Sequence, residues 1–249
     1  MYAKLTALAA GTALVLSNAA HAQESFFQIE AGLGVTSAVK LGDGMYYSKG
    51  FSHDTPNGSY GVRAGIVLNA IEARPRAWTP GLRFHLDYYN FGKVRWSSVN
   101  PQDSADFSRV GQIGGYNTAT LSCNDNNCGT FRRFDSVGSI QAIALTVEPY
   151  WNLGNGWQLG LEAGPALYRS MWTSIATTLS DGRFGPAGTR ETLSHHPRVQ
   201  AGVLVGVSVG KGAFSARLNY LNAPVGHSSD DNVPAGIKGE WMLSLNYTW

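Results

Sequence analysis

Near its end the chain reads "GHSSDDNVPAGIKGE". His227 and Ser229 stand two apart, and Glu240 follows at the start of the last alternating run. A histidine oriented by a carboxylate could take the proton of a serine hydroxyl and leave an oxygen able to attack an ester. His-x-Ser is a common accident in polar stretches, so the three form an alternative catalytic set and the expected protein is not an enzyme. Ser194 with His196 and Glu191 is a second set of the same residue types. Cys123 and Cys128 lie in "LSCNDNNCGTF". In an exported chain two cysteines imply a disulfide, worth about 2 kcal/mol for so short a loop in the chain-entropy model. Four residues separate the pair, which does not fit a CxxC redox site, and no zinc ligand set stands near it. No cofactor or metal is expected. The remaining chemistry is charge: Glu30, Arg63, Arg83, His85, Asp87, Glu148, Glu162 and Arg217 stand singly among small and apolar residues.

What positions these groups is legible from the chain's start onward. In "MYAKLTALAAGTALVLSNAAHAQE" one lysine precedes an apolar run, and Ala20-His21-Ala22 has the small-x-small pattern of a signal peptidase site. Residues 1–22 read as a cleaved signal peptide and 23–249 as the mature domain. A membrane-anchoring helix would need about 20 apolar residues, and this run is shorter. Cleavage removes Lys4 and no acid, which leaves 18 basic against 17 acidic residues. Without a basic excess, nucleic acid is not an expected partner. Any crossing of a membrane by the mature chain must use strands.

Period-two alternation supplies the strands. Eight runs alternate: Phe26–Thr36, Tyr60–Leu68, one from Gly81, Gln141–Leu153, one from Trp157 to about residue 178, Val199–Val209, Phe214–Tyr220, and the closing "EWMLSLNYTW". In the third run the pattern blurs after Asn90, where a bulge is expected. Connectors alternate long and short, with tight-turn sequences at "GNG" and "GKG"; the longest runs from about residue 100 to 137. One parity of each run carries large apolar residues. The other carries glycine, small residues and the isolated charges, which suits a narrow lumen. A soluble sandwich also alternates, but it gives no reason for long and short connectors to alternate; a transmembrane barrel does. The expected fold is therefore all-β: an eight-stranded antiparallel up-and-down transmembrane barrel with four long outer loops and short periplasmic turns. Phe27, Trp151, Trp157, Phe214 and Trp249 would ring the periplasmic interface, and Tyr60, Tyr88, Tyr220 and Trp241 the outer one. The eight charges would meet in the lumen as a paired network, because isolated ions there are costly to desolvate.

On these features the chain resembles the eight-stranded outer-membrane barrels of Gram-negative bacteria, of the OmpA-domain, OmpX and OmpW type. The most specific element is the last strand. Trp249, Tyr247, Leu245, Leu243 and Trp241 match the alternating aromatic and apolar pattern that this class presents as a signal to the barrel-assembly machinery. The resemblance implies outer-membrane residence after export through the periplasm. It also implies contact with outer-membrane lipid and lipopolysaccharide, and the assembly machinery as a partner in biogenesis. A monomer is expected, with a role in surface structure, interaction or restricted small-solute passage. The ligand of the surface loops is not specified by composition. The His227, Ser229 and Glu240 set looks like that of PagL-type lipid A deacylases, which implies an ester hydrolase as the alternative. The family has Asn directly after its serine; here that residue is Asp230, an anion where an oxyanion would develop.

Overall fold

A computed structural model describes residues 26–42, 53–54, 58–74, 78–101, 116–117, 122–123, 131–179, 181, 184–195, 198–225 and 236–249. Eight long strands form its frame: β1 (Phe27–Gly42), β2 (Ser59–Ile71), β3 (Gly81–Asn90), β4 (Phe131–Gly154), β5 (Trp157–Thr178), β6 (Gln200–Lys211), β7 (Phe214–Val225) and β8 (Gly236–Thr248). Each pairs antiparallel with its neighbours in sequence, and β8 pairs with β1. Glu30 faces Thr248 and Val35 faces Leu243 in that last pair. The sheet therefore closes on itself, and an up-and-down barrel has no open edge along its wall.

Alternation decides which side of the wall each residue occupies. Leu33, Tyr60, Leu145, Leu161, Val205, Leu218, Leu243 and Leu245 all face outward and are exposed. Glu30, Arg63, His85, Asp87, Glu148, Glu162, Arg217 and Met242 face inward and are buried. Soluble monomers do not carry a continuous apolar band of this kind. Among the described residues no helix is long and apolar enough to cross a membrane.

At the end of the barrel where β1 begins and β8 ends, the connections are short. β4 and β5 meet at Asn155-Gly156, with φ of 51° and 78°. Both values lie in the left-handed region that asparagine and glycine tolerate best, and this dipeptide is the favoured two-residue hairpin turn. β6 and β7 turn at Gly212-Ala213, starting one residue after the centre of "GKG", because Gly210 and Lys211 still pair with β7.

At the other end the strands outlast the ring. β4 has 24 residues and β5 has 22. Their far halves pair outward with two added strands, Val94–Pro101 on β4 and Arg190–His195 on β5. His53–Asp54 extends the first of these. The result is a five-stranded sheet projecting beyond the barrel. The segment of β4 from Phe131 to Ile140 gives it roughly 30 Å of strand at the usual rise per residue. Val94–Pro101 is the continuation of β3 across a one-residue bulge: Asn90 faces Gln141 but Val94 faces Gly138. The inward set consequently switches from Tyr89 and Phe91 to Val94 and Trp96.

These projecting segments correct the bounds read from alternation. Part of the connector assigned to residues 100–137 is strand, as is part of "SDGRFGPAGTRETLSHHP". Both sides of the projecting sheet mix polar and apolar residues, so the contrast that marks a wall strand is missing there.

Candidate functional site: a charged lumen beneath an apolar plug

The inward face is layered along the barrel axis. Nearest the short turns lies a cavity of about 420 Å³, walled by Gln28, Gln158 and Tyr150 and floored by charged groups. Glycines on the inward parity leave room for those groups. At Gly160 an added Cβ would run into the Glu148 carboxylate.

Above the cavity stands the charged layer. Arg63 reaches Glu30 at 2.8 Å through Nη1 and Asp87 at 2.6 Å through Nη2. Arg217 stands among three carboxylates: Glu30 at 3.0 Å, Glu148 at 3.3 Å and Glu162 at 3.4 Å. His85 Nε2 lies 2.6 Å from Glu148 Oε2. Ser208 donates to Glu148, Thr146 donates to Glu162 over 2.6 Å, and Asn219 Nδ2 donates to Glu162 over 3.0 Å. Arg83 sits on the cavity side of this network. It donates to Asn69 Oδ1 over 2.9 Å and to Gln158 Oε1 over 2.7 Å, and its guanidinium stacks 3.7 Å from the centre of the Tyr150 ring. All eight charged residues singled out in the sequence thus face the lumen. Seven of them share one network, and Arg83 borders it. They come from β1, β2, β3, β4, β5 and β7, so only closure of the ring brings them together. Within that network four carboxylates meet two arginines and a histidine.

Beyond the charges the lumen turns apolar. Tyr89, Phe91, Trp96, Ile140, Tyr168, Trp172, Leu204, Leu221 and Met242 belong to one buried cluster. Trp172 packs over Gly138, where any Cβ would collide with the indole. Sequence reading missed this plug as a unit. Most of its members stand on the inward parity of their strands, but the bulge after Asn90 breaks the count for Val94 and Trp96, and Trp172 lies beyond the ring.

Glu240 lies within this apolar level. It occupies the inward parity of β8 with Met242, Ser244 and Asn246, and is 1% exposed. Its strand partners are Ala38 and Leu221. Among the described residues neither carboxylate oxygen has a hydrogen-bond partner.

Of the other residues singled out, His227, Ser229, His196 and Cys128 lie outside the described residues. Cys123 falls in the short strand Ser122–Cys123, paired with Tyr116–Asn117. Glu191 and Ser194 are exposed on the projecting strand, where Glu191 pairs with Arg132 at 2.7 Å. Trp241, Leu243, Leu245 and Trp249 face outward and are exposed. Tyr247 stacks edge-on with Trp249 and Phe214, and Tyr220 stacks on Trp241. Trp249 donates its backbone N–H to Ile29 over 2.9 Å, which fastens the last residue to the first strand.

No family model matches this chain, and no curated protein matches it. Solved structures align along most of its length. Ail, the attachment invasion locus protein of Yersinia pestis, is 12% identical over 90% of this chain and 97% of its own, with a TM-score of 0.34. Neisserial surface protein A is 14% identical over 90% of this chain and 96% of its own, with a TM-score of 0.35. Likenesses at this level carry no weight for the function, and the eight-stranded ring rests on the strand pairing itself.

Proposed function

We propose that this chain is an integral protein of a Gram-negative outer membrane, exported after cleavage of residues 1–22, whose role is non-enzymatic interaction at the cell surface. The observation that carries this reading is the wall of the barrel. Large apolar side chains face outward on all eight strands of a closed ring, while the interior beyond the short-turn cavity is filled. Phe27, Trp157, Phe214 and Trp249 then lie at the periplasmic interface with Trp78, and Tyr60 and the Tyr220–Trp241 pair at the outer one.

A lumen plugged above the charged layer speaks for a scaffold and not an open pore for hydrated solutes. Ion pairs occupy its lower half and aromatic and aliphatic side chains its upper half. The part with an unfilled bonding capacity is the projecting sheet. Its strand Arg190–His195 pairs on one side with β5 and, among the described residues, with nothing on the other. An unpaired strand edge offers backbone donors and acceptors to an extended segment of a partner.

The topology is tested by thiol labelling of intact cells with a membrane-impermeant maleimide, against the unsubstituted chain as background. A Ser194→Cys variant is expected to react at once, and an Asn155→Cys variant only after the outer membrane is permeabilised. Equal labelling of both in intact cells would refute the spanning topology. Mass spectrometry of lipid A from the same cells is expected to show unchanged acylation. Loss of an ester-linked chain that Ser229→Ala prevents would replace this reading with the hydrolase.

A further inference from the structure

Glu240 has no structural work to do that an uncharged residue could not do better. Its neighbours on both flanking strands, Ala38 and Leu221, are apolar, as is Met242, the next inward residue of β8. Its two oxygens have no donor among the described residues, and no described cation pairs with it. A carboxyl group in such surroundings is expensive to bury, and ionisable residues at membrane depth commonly mark ion or proton routes.

Glu240 is also one of a group. Other buried polar atoms of the lumen also have no partner among the described residues: Ser170 Oγ on β5, Tyr89 Oη on β3, and Asp87 Oδ1 and His85 Nδ1 in the charged layer. Tyr89 joins the two levels, because it belongs to the apolar cluster while the Arg63 guanidinium stands 5.6 Å from its ring centre. Below them, Glu148 and Glu30 border the cavity that opens at the short-turn end. Buried polar groups of this kind are usually satisfied by ordered water.

We propose that the barrel is a proton-selective conduit, in which Glu240 is the relay group that carries protons through the apolar level. This rests on the membrane reading above. A proton arriving from the loop end adds to one Glu240 oxygen. The carboxyl O–H then breaks towards the Tyr89 side, with a water molecule as acceptor where the side chains do not meet. Tyr89 accepts a proton on its hydroxyl oxygen as it releases its own towards Asp87 and His85. Asp87 Oδ1 takes that proton, neutral His85 accepts it at Nδ1 as its Nε2–H passes to Glu148, and Glu148 releases it into the cavity. Rotation of the Tyr89 hydroxyl and return of the imidazole to its first tautomer restore the starting state. Hydrated ions are excluded, because the apolar level offers no polar lining wide enough to replace their water.

The test is proton flux into vesicles containing the purified full-length barrel. An internal pH dye and a valinomycin-clamped potassium gradient provide readout and driving force. The expected result is acidification faster than in protein-free vesicles, with no matching chloride or sodium flux. Glu240→Gln, which keeps the shape, should reduce the flux to the protein-free level, and Glu240→Asp should retain part of it. Heat-modifiable gel migration checks that each variant forms the barrel; Glu240→Leu replaces the glutamine variant if that one does not. Wild-type flux equal to that of empty vesicles overturns the proposal, as does undiminished flux in the neutral variant or comparable passage of chloride or sodium. A wild-type chain that does not float with the vesicles removes the membrane reading itself, and the conduit with it.

Discussion

Arg217 holds the centre of the charged layer, and its removal exposes what the layer does. Three carboxylates lie within 3.4 Å of its guanidinium. Arg217→Ala would leave them buried without that partner, and breaking a buried pair in this way destabilises by about 3–5 kcal/mol. Urea unfolding of the folded barrel from lipid vesicles should show a loss of that size. Replacing Glu191 on the projecting strand should change stability by less than about 1 kcal/mol, since its ion pair with Arg132 is largely solvent-exposed on the glutamate side. A measured loss for Arg217→Ala no larger than that for Glu191→Ala would show that the lumen is hydrated enough to screen its charges. Gly160 is the steric counterpart. A valine there meets the Glu148 carboxylate and Ser208, and overpacking of this kind costs about 1–3 kcal/mol.

Strands decide the consequences of substitutions by parity. Leu243 and Met242 are adjacent in β8, yet one is exposed on the wall and the other fully buried in the plug. Lysine at position 243 should destabilise the barrel in a bilayer by about 2–4 kcal/mol if the site lies at mid-membrane depth; in detergent micelles the loss should be smaller, because the head group reaches water more easily. Equal losses in both media would count against a bilayer around this strand. The projecting strand Arg190–His195 behaves differently. Thr192→Pro removes a backbone donor and distorts the edge, yet the wall below it does not depend on this strand. Heat-modifiable migration should be unchanged, while binding of a surface partner through that edge should be lost. If partner binding survives the proline, recognition belongs to another part of the surface.

Among the described residues the chain is a closed ring with an apolar plug above the charged layer and a cavity below it. The cavity at the short-turn end stops at the charged layer, and the aromatic cluster stands between that layer and the loops. Planar-bilayer recordings in molar potassium chloride should therefore show no stable conductance steps, and the protein should migrate differently on gels before and after boiling. Reproducible chloride or potassium channels would mean that the plug opens. Most of this architecture was legible beforehand, because the outward parity of β1 to β8 carries a contrast between lipid-facing and lumen-facing residues that composition cannot hide. The length of β4 was not legible. Arg132, Phe134 and Ser136 turn inward above the ring, where the opposite face meets no lipid and no longer has to be apolar.

The sequence by itself determined the number of wall strands, the side of the wall for nearly every residue, and the identity of eight ionisable lumen residues, Glu240 not among them. Each of these depends on local alternation, and a one-residue slip would turn a whole strand inside out. Only the tertiary structure decided which charge meets which. Arg217 and Glu30 are far apart in the chain, and they meet because β8 closes on β1 and fixes the register of six strands around one axis. The same closure decided the place of Glu240. In the sequence it marked the edge of a polar loop and one member of a His-Ser-Glu set. In the folded ring it is a carboxyl group facing an apolar interior, because the parity of β8 points it inward and the neighbouring strands bring only alanine and leucine to its sides.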